Sequence, residues 1–96
     1  MPCLRRLLDE HVTARFPSTV DKGEDYERVE PVEIDSAIVG WASGVAGGVR
    51  LSHDDRTRLT AARDDLSASL DAFPTEARPY FERLVDIAEA ALRDRA

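Results

Sequence analysis

A helical hairpin is predicted by residues 52–93, which read SHDDRTRLTAARDDLSASLDAFPTEARPYFERLVDIAEAALR. Apolar residues recur there every three or four positions on both sides of Pro74, a spacing that puts them on one face of a helix. They are Leu59, Ala62, Leu66, Leu70 and Phe73 before the proline, and Tyr80, Phe81, Leu84, Val85, Ala88, Ala91 and Leu92 after it. Because only a few residues separate the two patterns, the helices are expected to pack antiparallel.

The ends of both helices carry local signals. Ser52 is predicted to cap the first helix, and Phe73-Pro74 to end it, because the residue before a proline avoids the helical conformation. Thr75 is expected to cap the second helix, with Pro79 tolerated in its first turn. The predicted helices span residues 52–73 and 76–93.

Two more helices are predicted upstream. The first covers about residues 3–16, because an apolar series at helical spacing is ended by Phe16-Pro17. That series is Leu4, Leu7, Leu8 and Val12. The second covers residues 35–47, with Asp35 or Ser36 as its cap and Gly47-Gly48 at its end.

The predicted helix at 35–47 is apolar nearly all the way round. Such a pattern is typical of a central helix that is buried on most sides. The residues concerned are Ile38, Val39, Trp41, Ala42, Val45 and Ala46.

Residues 17–34 are expected to form a long acidic loop. Val32 and Ile34 alternate with Glu33, as in a short extended segment that reaches the core. Between positions 21 and 35, seven acidic residues stand against two basic ones, so this stretch carries −5 of the chain's net charge of −6. Loops of this length are uncommon in compact domains and are often functional.

These patterns predict an all-α fold, with residues 1–96 forming one compact four-helix domain. The acidic loop joins the first two helices, and the helical hairpin lies at the C-terminus. The composition agrees, since 43% of the 96 residues are apolar and 33% are charged, an ordinary globular balance. A single cysteine excludes a disulfide framework within the chain.

The sequence also bears on location. Asp9 and Glu10 follow Arg5-Arg6 after only two leucines, which does not fit an export signal. The longest uncharged stretch, residues 36–49, is too short to span a bilayer as a helix. No membrane contact is therefore expected, and we expect a cytoplasmic protein. Its preference for Arg over Lys indicates a GC-rich, bacterial genome.

Neither catalytic nor metal chemistry is predicted. Cys3, His11 and His53 lack the spacing of a zinc site, and no calcium-loop spacing occurs. Ser43 directly precedes Gly44 within a predicted helix, which does not fit the turn that presents a serine nucleophile. No catalytic residue, cofactor or metal ligand is therefore assigned.

The acidic loop is the preferred candidate for binding a partner. An excess of one charge attracts a basic protein and accelerates the encounter, and Tyr26 could add an aromatic anchor. The predicted binding residues are Asp21, Glu24, Asp25, Tyr26, Glu27, Glu30 and Glu33. The leading hypothesis is a protein that regulates or neutralises a basic partner, rather than an enzyme.

Gly40 and Gly44 support an alternative hypothesis. They lie four residues apart on one face of a predicted helix, where each glycine costs up to about 1 kcal/mol relative to alanine. The pair therefore predicts a close contact, which could be with another helix of the chain or with a second copy in a homodimer. It could also border a pocket beside Trp41, as in a small-ligand-binding or enzymatic helical domain.

A third hypothesis is a helix-turn-helix DNA binder. Four arginines lie between positions 50 and 63, namely Arg50, Arg56, Arg58 and Arg63. However, the negative net charge repels phosphate, and the spacing of Asp54 and Arg58 predicts a salt bridge within a helix. Nucleic-acid binding is therefore not favoured.

Overall fold

The chain folds into four α-helices. The computed structural model describes residues 3–94, and the helices are α1 (Leu4–Thr13), α2 (Pro31–Ala46), α3 (His53–Ser69) and α4 (Arg78–Arg93). No strand occurs within residues 3–94, so the predicted all-α fold is confirmed. The radius of gyration of the Cα atoms is 12.7 Å, which is typical of a compact domain of this length.

The other three helices pack around α4. It contacts α1, α2 and α3, and it contributes the largest share of the core. Its buried residues are Tyr80, Phe81, Leu84, Val85, Ile87, Ala88 and Ala91. Removing this face from water stabilises the fold by roughly 1.5–3 kcal/mol for each large apolar side chain.

The structure shows that α1 is shorter than predicted. It ends at Thr13 instead of position 16, and Ala14 already has an extended backbone. The extended segment brings Phe16 back to α4, where its ring packs edge-on against Tyr80 and Phe81. Phe16 therefore packs against α4 from outside the helix, and α1 ends before the position that the Phe-Pro signal predicts.

The start of α2 differs most from the prediction. The helix begins at Pro31, four residues early, so Val32 and Ile34 are helical and not extended. The cap is the carboxylate of Glu30, which accepts hydrogen bonds from the N–H groups of Val32 and Glu33 at 2.9–3.1 Å. Proline is favourable in a first turn because its missing N–H would have no helical partner there.

The prediction that α2 is buried on most sides was wrong. Ile38 and Ala42 are fully buried, but Gly40 and Ser43 are exposed, and Trp41 is only half-buried. The central helix is therefore α4 and not α2. None of the described helices, α2 included, is long and apolar enough to cross a membrane.

The turn from α2 to α3 agrees with the sequence signals. Gly47 follows the last residue of α2, and Gly48 has a left-handed φ of +96°, which glycine adopts without strain. Ser52 caps α3, because its Oγ accepts a hydrogen bond from the N–H of Asp55 at 3.0 Å.

The link from α3 to α4 is more structured than predicted. The helix α3 ends at Ser69 instead of position 73, and two short 3-10 turns follow, at Leu70–Ala72 and Thr75–Ala77. No side chain within residues 3–94 caps α4, so the predicted cap at Thr75 does not form, while Pro79 does lie in the first turn.

Arginines from neighbouring helices bind the C-terminal carbonyls of each helix or its 3-10 extension. Arg5 donates to Ala46 O at 2.8 Å, Arg56 to Leu92 O at 2.7 Å, Arg83 to Glu10 O at 3.2 Å, and Arg78 to Asp71 O and Phe73 O at 3.1 and 3.2 Å. The last carbonyls of a helix lack helical partners and carry the negative end of its dipole, so a guanidinium there is favourable.

Candidate functional site

The acidic loop is an ordered connection between α1 and α2. Val20 and Val29 are buried in the core at 5% exposure each. The main chains of Tyr26 and Val29 pair across a tight turn through hydrogen bonds of 2.7 and 3.2 Å. The N–H of Arg28 donates to Oγ of Ser69 at 3.1 Å, which ties the turn to the end of α3. The loop is therefore attached to the helices at several points.

Tyr26 packs against the core, although the sequence hypothesis expects it to anchor a partner. Its ring stacks on Phe73 with centroids 4.7 Å apart, and Phe73 stacks in turn on Phe81 at 4.1 Å. The Tyr26 hydroxyl accepts a hydrogen bond from the N–H of Asp21 at 2.9 Å. One ring face and the hydroxyl of Tyr26 are thus already used to hold the loop.

Four carboxylates of the loop remain exposed, and we refer to them as the acidic patch: Asp21, Glu24, Asp25 and Glu27. None of them forms an ion pair with a cation of the described residues. Glu27 has a φ of +58°, a left-handed conformation that residues other than glycine rarely adopt. The patch is therefore a surface of negative charge that no ion pair within residues 3–94 neutralises.

Glu30, another predicted binding residue, has a structural role. Its carboxylate accepts hydrogen bonds from the N–H groups of Gly23, Val32 and Glu33. Desolvation is the largest single influence on its pKa and raises it, but the three N–H donors together outweigh desolvation, so the pKa of Glu30 lies below its ordinary value. Glu30 therefore fixes the loop to the start of α2.

Trp41 lies in a groove of about 400 Å³ between α2 and α3, which we call the Trp41 groove. Its apolar lining is Val29, Ile34, Ala37, Trp41, Ala61 and Ala62, and its charged lining is Arg28, Glu30, Glu33, Arg58 and Asp65. The groove therefore joins the end of the acidic loop to the indole ring, two features that lie apart in the sequence.

Both arginines that line the groove are balanced by nearby carboxylates. Arg28 lies 3.8 Å from Asp65, and Arg58 lies 3.4 Å from Asp54. Glu33 is exposed and has no ion-pair partner within residues 3–94. The groove thus has an apolar floor and an excess of negative charge where it meets the loop.

The two glycines of α2 lie outside the Trp41 groove. Apart from its chain neighbours and the adjacent backbone of α2 itself, a Cβ atom on Gly40 would have no described atom within 4 Å. One on Gly44 would meet only Cβ of Val49, at 3.8 Å. The close contact with another helix of the same chain, one of the expectations from sequence, is therefore absent among the described residues.

The arginines of α3 are engaged in contacts. Arg56 donates to a carbonyl at the end of α4, Arg58 pairs with Asp54, and Arg63 pairs with Asp64 at 3.0 Å. The predicted salt bridge between Asp54 and Arg58 is confirmed. This arrangement is typical of an exposed helix face on which opposite charges alternate.

A second polar cluster joins three helices, and no sequence motif predicts it. Asp35 lies between His11 and Tyr80, with Oδ1 at 2.8 Å from Nε2 of His11, and Oδ2 accepting a hydrogen bond from the Tyr80 hydroxyl at 2.6 Å. The rings of His11 and Tyr80 are 4.4 Å apart. The only signal in the sequence is that His11 continues the apolar face of α1, which indicates burial.

Tyr80 is held in its protonated form by this cluster. Desolvation is the largest influence on its pKa, followed by the hydrogen bond to Asp35 and the charge of Asp35, and all three raise the pKa well above 10.0. The positive charge of Arg83 acts in the opposite direction but does not cancel them. The hydroxyl is therefore a stable donor to Asp35.

Neither the acidic patch nor the cluster of His11, Asp35 and Tyr80 has the composition of a metal centre. Within residues 3–94, no group of three or more His, Cys, Asp or Glu side chains is placed to hold a metal ion. Comparison with protein-family models, with curated proteins and with solved structures found no match to this chain. Function must therefore be inferred from the chemistry of the sites themselves.

Proposed function

We propose that this protein binds a basic protein partner through the acidic patch and the Trp41 groove. The observation that supports this best is that Glu30, at the end of the acidic loop, and Glu33, in the first turn of α2, line the same groove as Trp41. Charge and apolar surface therefore meet in one place. The bound segment of the partner would combine basic side chains with at least one large apolar side chain.

Charge complementarity supports a basic partner. The acidic patch has no internal counter-ions among the described residues, and it belongs to the stretch that carries most of the net charge. Such a surface steers a basic protein toward it and accelerates association, more strongly at low salt. Covering the basic surface of a larger protein would neutralise or regulate that protein.

The indole ring supports an apolar contact beside the charges. Tryptophan is enriched among the residues that dominate binding energy, particularly where the surrounding contacts exclude water. Trp41 is half-buried and lines the groove, so part of its ring remains available to a side chain of the partner. The groove volume of about 400 Å³ is sufficient for such a side chain.

We place this interaction in the cytoplasm. Cys3 is a free and exposed thiol, which suits a reducing compartment. Exposed thiols are less compatible with an oxidising compartment, where they form disulfides between molecules.

The test is affinity capture from a lysate of the source cells with matched charge variants. The triple variant E24Q/D25N/E27Q removes three charges from the acidic patch, whose side chains form no ion pairs among the described residues. The control E76Q/E82Q/D86N removes the same number of charges from exposed positions near the start of α4 and along it. Both variants are first checked for an unchanged melting temperature.

The expected result is a basic protein that the wild type and the control capture and the patch variant loses. Its binding should also shift the fluorescence of Trp41, the only tryptophan of the chain, and should weaken as salt is added. Equal capture by both charge variants, or binding without any change in Trp41 fluorescence, would contradict the proposal.

A further inference from the structure

A cleft of about 370 Å³ opens beside the cluster of His11, Asp35 and Tyr80. The remaining residues that line it are Val12, Ala14, Phe16, Ser36 and Val39. Most of these side chains are apolar, and the polar groups are concentrated at one place. Small-molecule sites commonly combine such walls with a few convergent polar groups. This cleft lies apart from the Trp41 groove, with which it shares no lining residue.

The hydrogen bonds within the cluster leave mostly acceptors for a molecule that enters the cleft. The Tyr80 hydroxyl gives its only proton to Asp35. A neutral His11 can donate to Asp35 only with its proton on Nε2, which leaves Nδ1 as an acceptor. That Nδ1 atom is buried and has no hydrogen-bond partner among the described residues.

Asp35 retains capacity to accept further hydrogen bonds. A carboxylate has about four lone-pair sites, and each oxygen of Asp35 has one partner in the cluster. The side chain of Asp35 is 19% exposed, whereas that of His11 is 3% exposed. Asp35 is therefore the group of the cluster that a ligand can best reach.

We propose that the cleft binds a small organic ammonium ion with an apolar body. The ammonium group supplies only donors, which suits the acceptors of the cluster, and its charge is opposite to that of Asp35. The aromatic rings of Phe16 and Tyr80 add a favourable surface for a cation. The apolar body would pack against Val12 and Val39.

Lys22 provides a local precedent for this interaction. Its ammonium group lies 5.2 Å from the centroid of the Phe16 ring, within the range of a cation–π contact. One wall of the cleft therefore already attracts an ammonium group of the chain itself. Lys22 is exposed, so its side chain can move aside when a ligand enters.

Other charges near the cleft set a limit on the affinity. Arg83 influences Tyr80 electrostatically, but its guanidinium is bound to the carbonyl of Glu10. Lys22 adds a second positive charge at the Phe16 ring. We therefore expect weak binding that depends on the carboxylate of Asp35.

The test uses benzylammonium at pH 8, with binding followed by NMR at the methyl groups of Val12 and Val39. Benzyl alcohol has nearly the same shape but lacks the positive charge and two of the donor protons. We expect a saturable shift with benzylammonium, and binding of benzyl alcohol that is weaker by about tenfold or more, because charge-assisted hydrogen bonds are the stronger ones.

A matched pair of variants tests whether the cleft is the site. Val12→Lys places a like charge at the rim of the cleft, and Val49→Lys places it at a similarly exposed valine elsewhere, the exposures being 68% and 64%. Val12→Lys should weaken benzylammonium binding severalfold, while Val49→Lys should leave it unchanged. Asp35→Asn, if it folds, should reduce the preference for benzylammonium over benzyl alcohol.

Three outcomes would overturn the proposal. They are the absence of a saturable shift, equal affinity for benzylammonium and benzyl alcohol, and equal effects of the two lysine variants. Because both valines are exposed, the lysine variants are expected to fold even if Asp35→Asn does not, so the comparison remains decisive.

Discussion

At the scale of single residues, the most important contacts join parts of the chain that are far apart in sequence. His11 and Asp35 are 24 residues apart, and Asp35 and Tyr80 are 45 residues apart. Ser69 is fully buried and accepts a hydrogen bond from the N–H of Arg28, 41 residues away. No local pattern encodes such pairs, because they depend on how the helices pack.

Local contacts, by contrast, could be predicted. Ser52 was predicted to cap a helix from its residue type and position alone, and its Oγ does accept the N–H of Asp55. Asp54 and Arg58 were predicted to pair from their spacing in a helix, and they do. In both cases the partners are three or four residues apart, about one helical turn, so their spacing in the sequence is sufficient to predict the contact.

Replacing Tyr80 by phenylalanine tests the polar cluster at α4. The variant keeps the ring but removes the donor to Asp35, and we expect it to lower the free energy of unfolding by roughly 1–3 kcal/mol at neutral pH. The measurement is urea unfolding followed by circular dichroism.

The effect of Tyr80→Phe should also depend on pH. The pKa of Tyr80 is raised in the folded state, so its stabilising contribution is complete below the ordinary value of 10.0 and is lost as the pH rises above it. The difference in stability between wild type and variant should therefore shrink between about pH 9 and pH 11. A difference that stays constant over this range would show that Tyr80 titrates as in the unfolded chain.

At the scale of elements, periodicity predicted that four helices exist but placed their ends less well. Glu30 and Pro31 form a local signal for the start of α2, but the surrounding acidic residues favour a loop over the same stretch. The end of α1 could not be found from local residues, since it accompanies the packing of Phe16 on α4. The start of α2 is thus encoded locally, whereas the end of α1 depends on tertiary contacts.

Gly40 offers a test of the outer face of α2. It is exposed in a helix, and apart from its chain neighbours and the adjacent backbone of α2, no described atom lies within 4 Å of a Cβ placed there. Gly40→Ala is therefore expected to raise the free energy of unfolding by up to about 1 kcal/mol, because alanine is the better helix former. Thermal unfolding of the dilute protein measures this.

Gly48→Ala serves as the opposite control. Its φ of +96° is strained for any residue with a side chain, so this variant should be less stable than the wild type. A loss of stability in Gly40→Ala as well would mean that another molecule covers this face of α2. A homodimer, one of the alternatives that the sequence leaves open for this face, would be the first candidate, and light scattering would detect it.

At the scale of the whole molecule, the arginines at the helix ends link all four helices. Arg5, Arg56 and Arg83 each donate to a C-terminal carbonyl of another helix. Substituting any of them by glutamine should lower the free energy of unfolding by about 0.3–1 kcal/mol at low salt, and less at high salt. Arg6→Gln, next to Arg5 but without such a bond among the described residues, is the control.

The measurement is urea unfolding of each single variant at two salt concentrations. Equal losses for Arg5→Gln and Arg6→Gln would show that overall charge matters and the contact with the carbonyl does not. A larger loss at high salt would contradict the electrostatic explanation. Four of the twelve arginines, Arg5, Arg56, Arg78 and Arg83, thus have a structural role at the ends of helices.

The central position of α4 could not be read from the sequence. The predicted helix at 35–47 was the most apolar, and apolar content favours burial. Yet α2 owes much of that content to small residues such as Ala46 and to the half-buried Trp41, while α4 buries Phe81 and Leu84 completely. Size and packing of the side chains, more than their average polarity, select the helix at the centre.

The two ends of α2 also differ in charge. The helix α2 starts at the acidic loop and rises about 24 Å over its 16 residues before reaching the carbonyl that Arg5 binds. Negative charge is thus concentrated at the start of α2, and a cation marks its far end. In the field of a basic surface, the protein would experience a torque that turns the loop forward, so that orientation begins before contact.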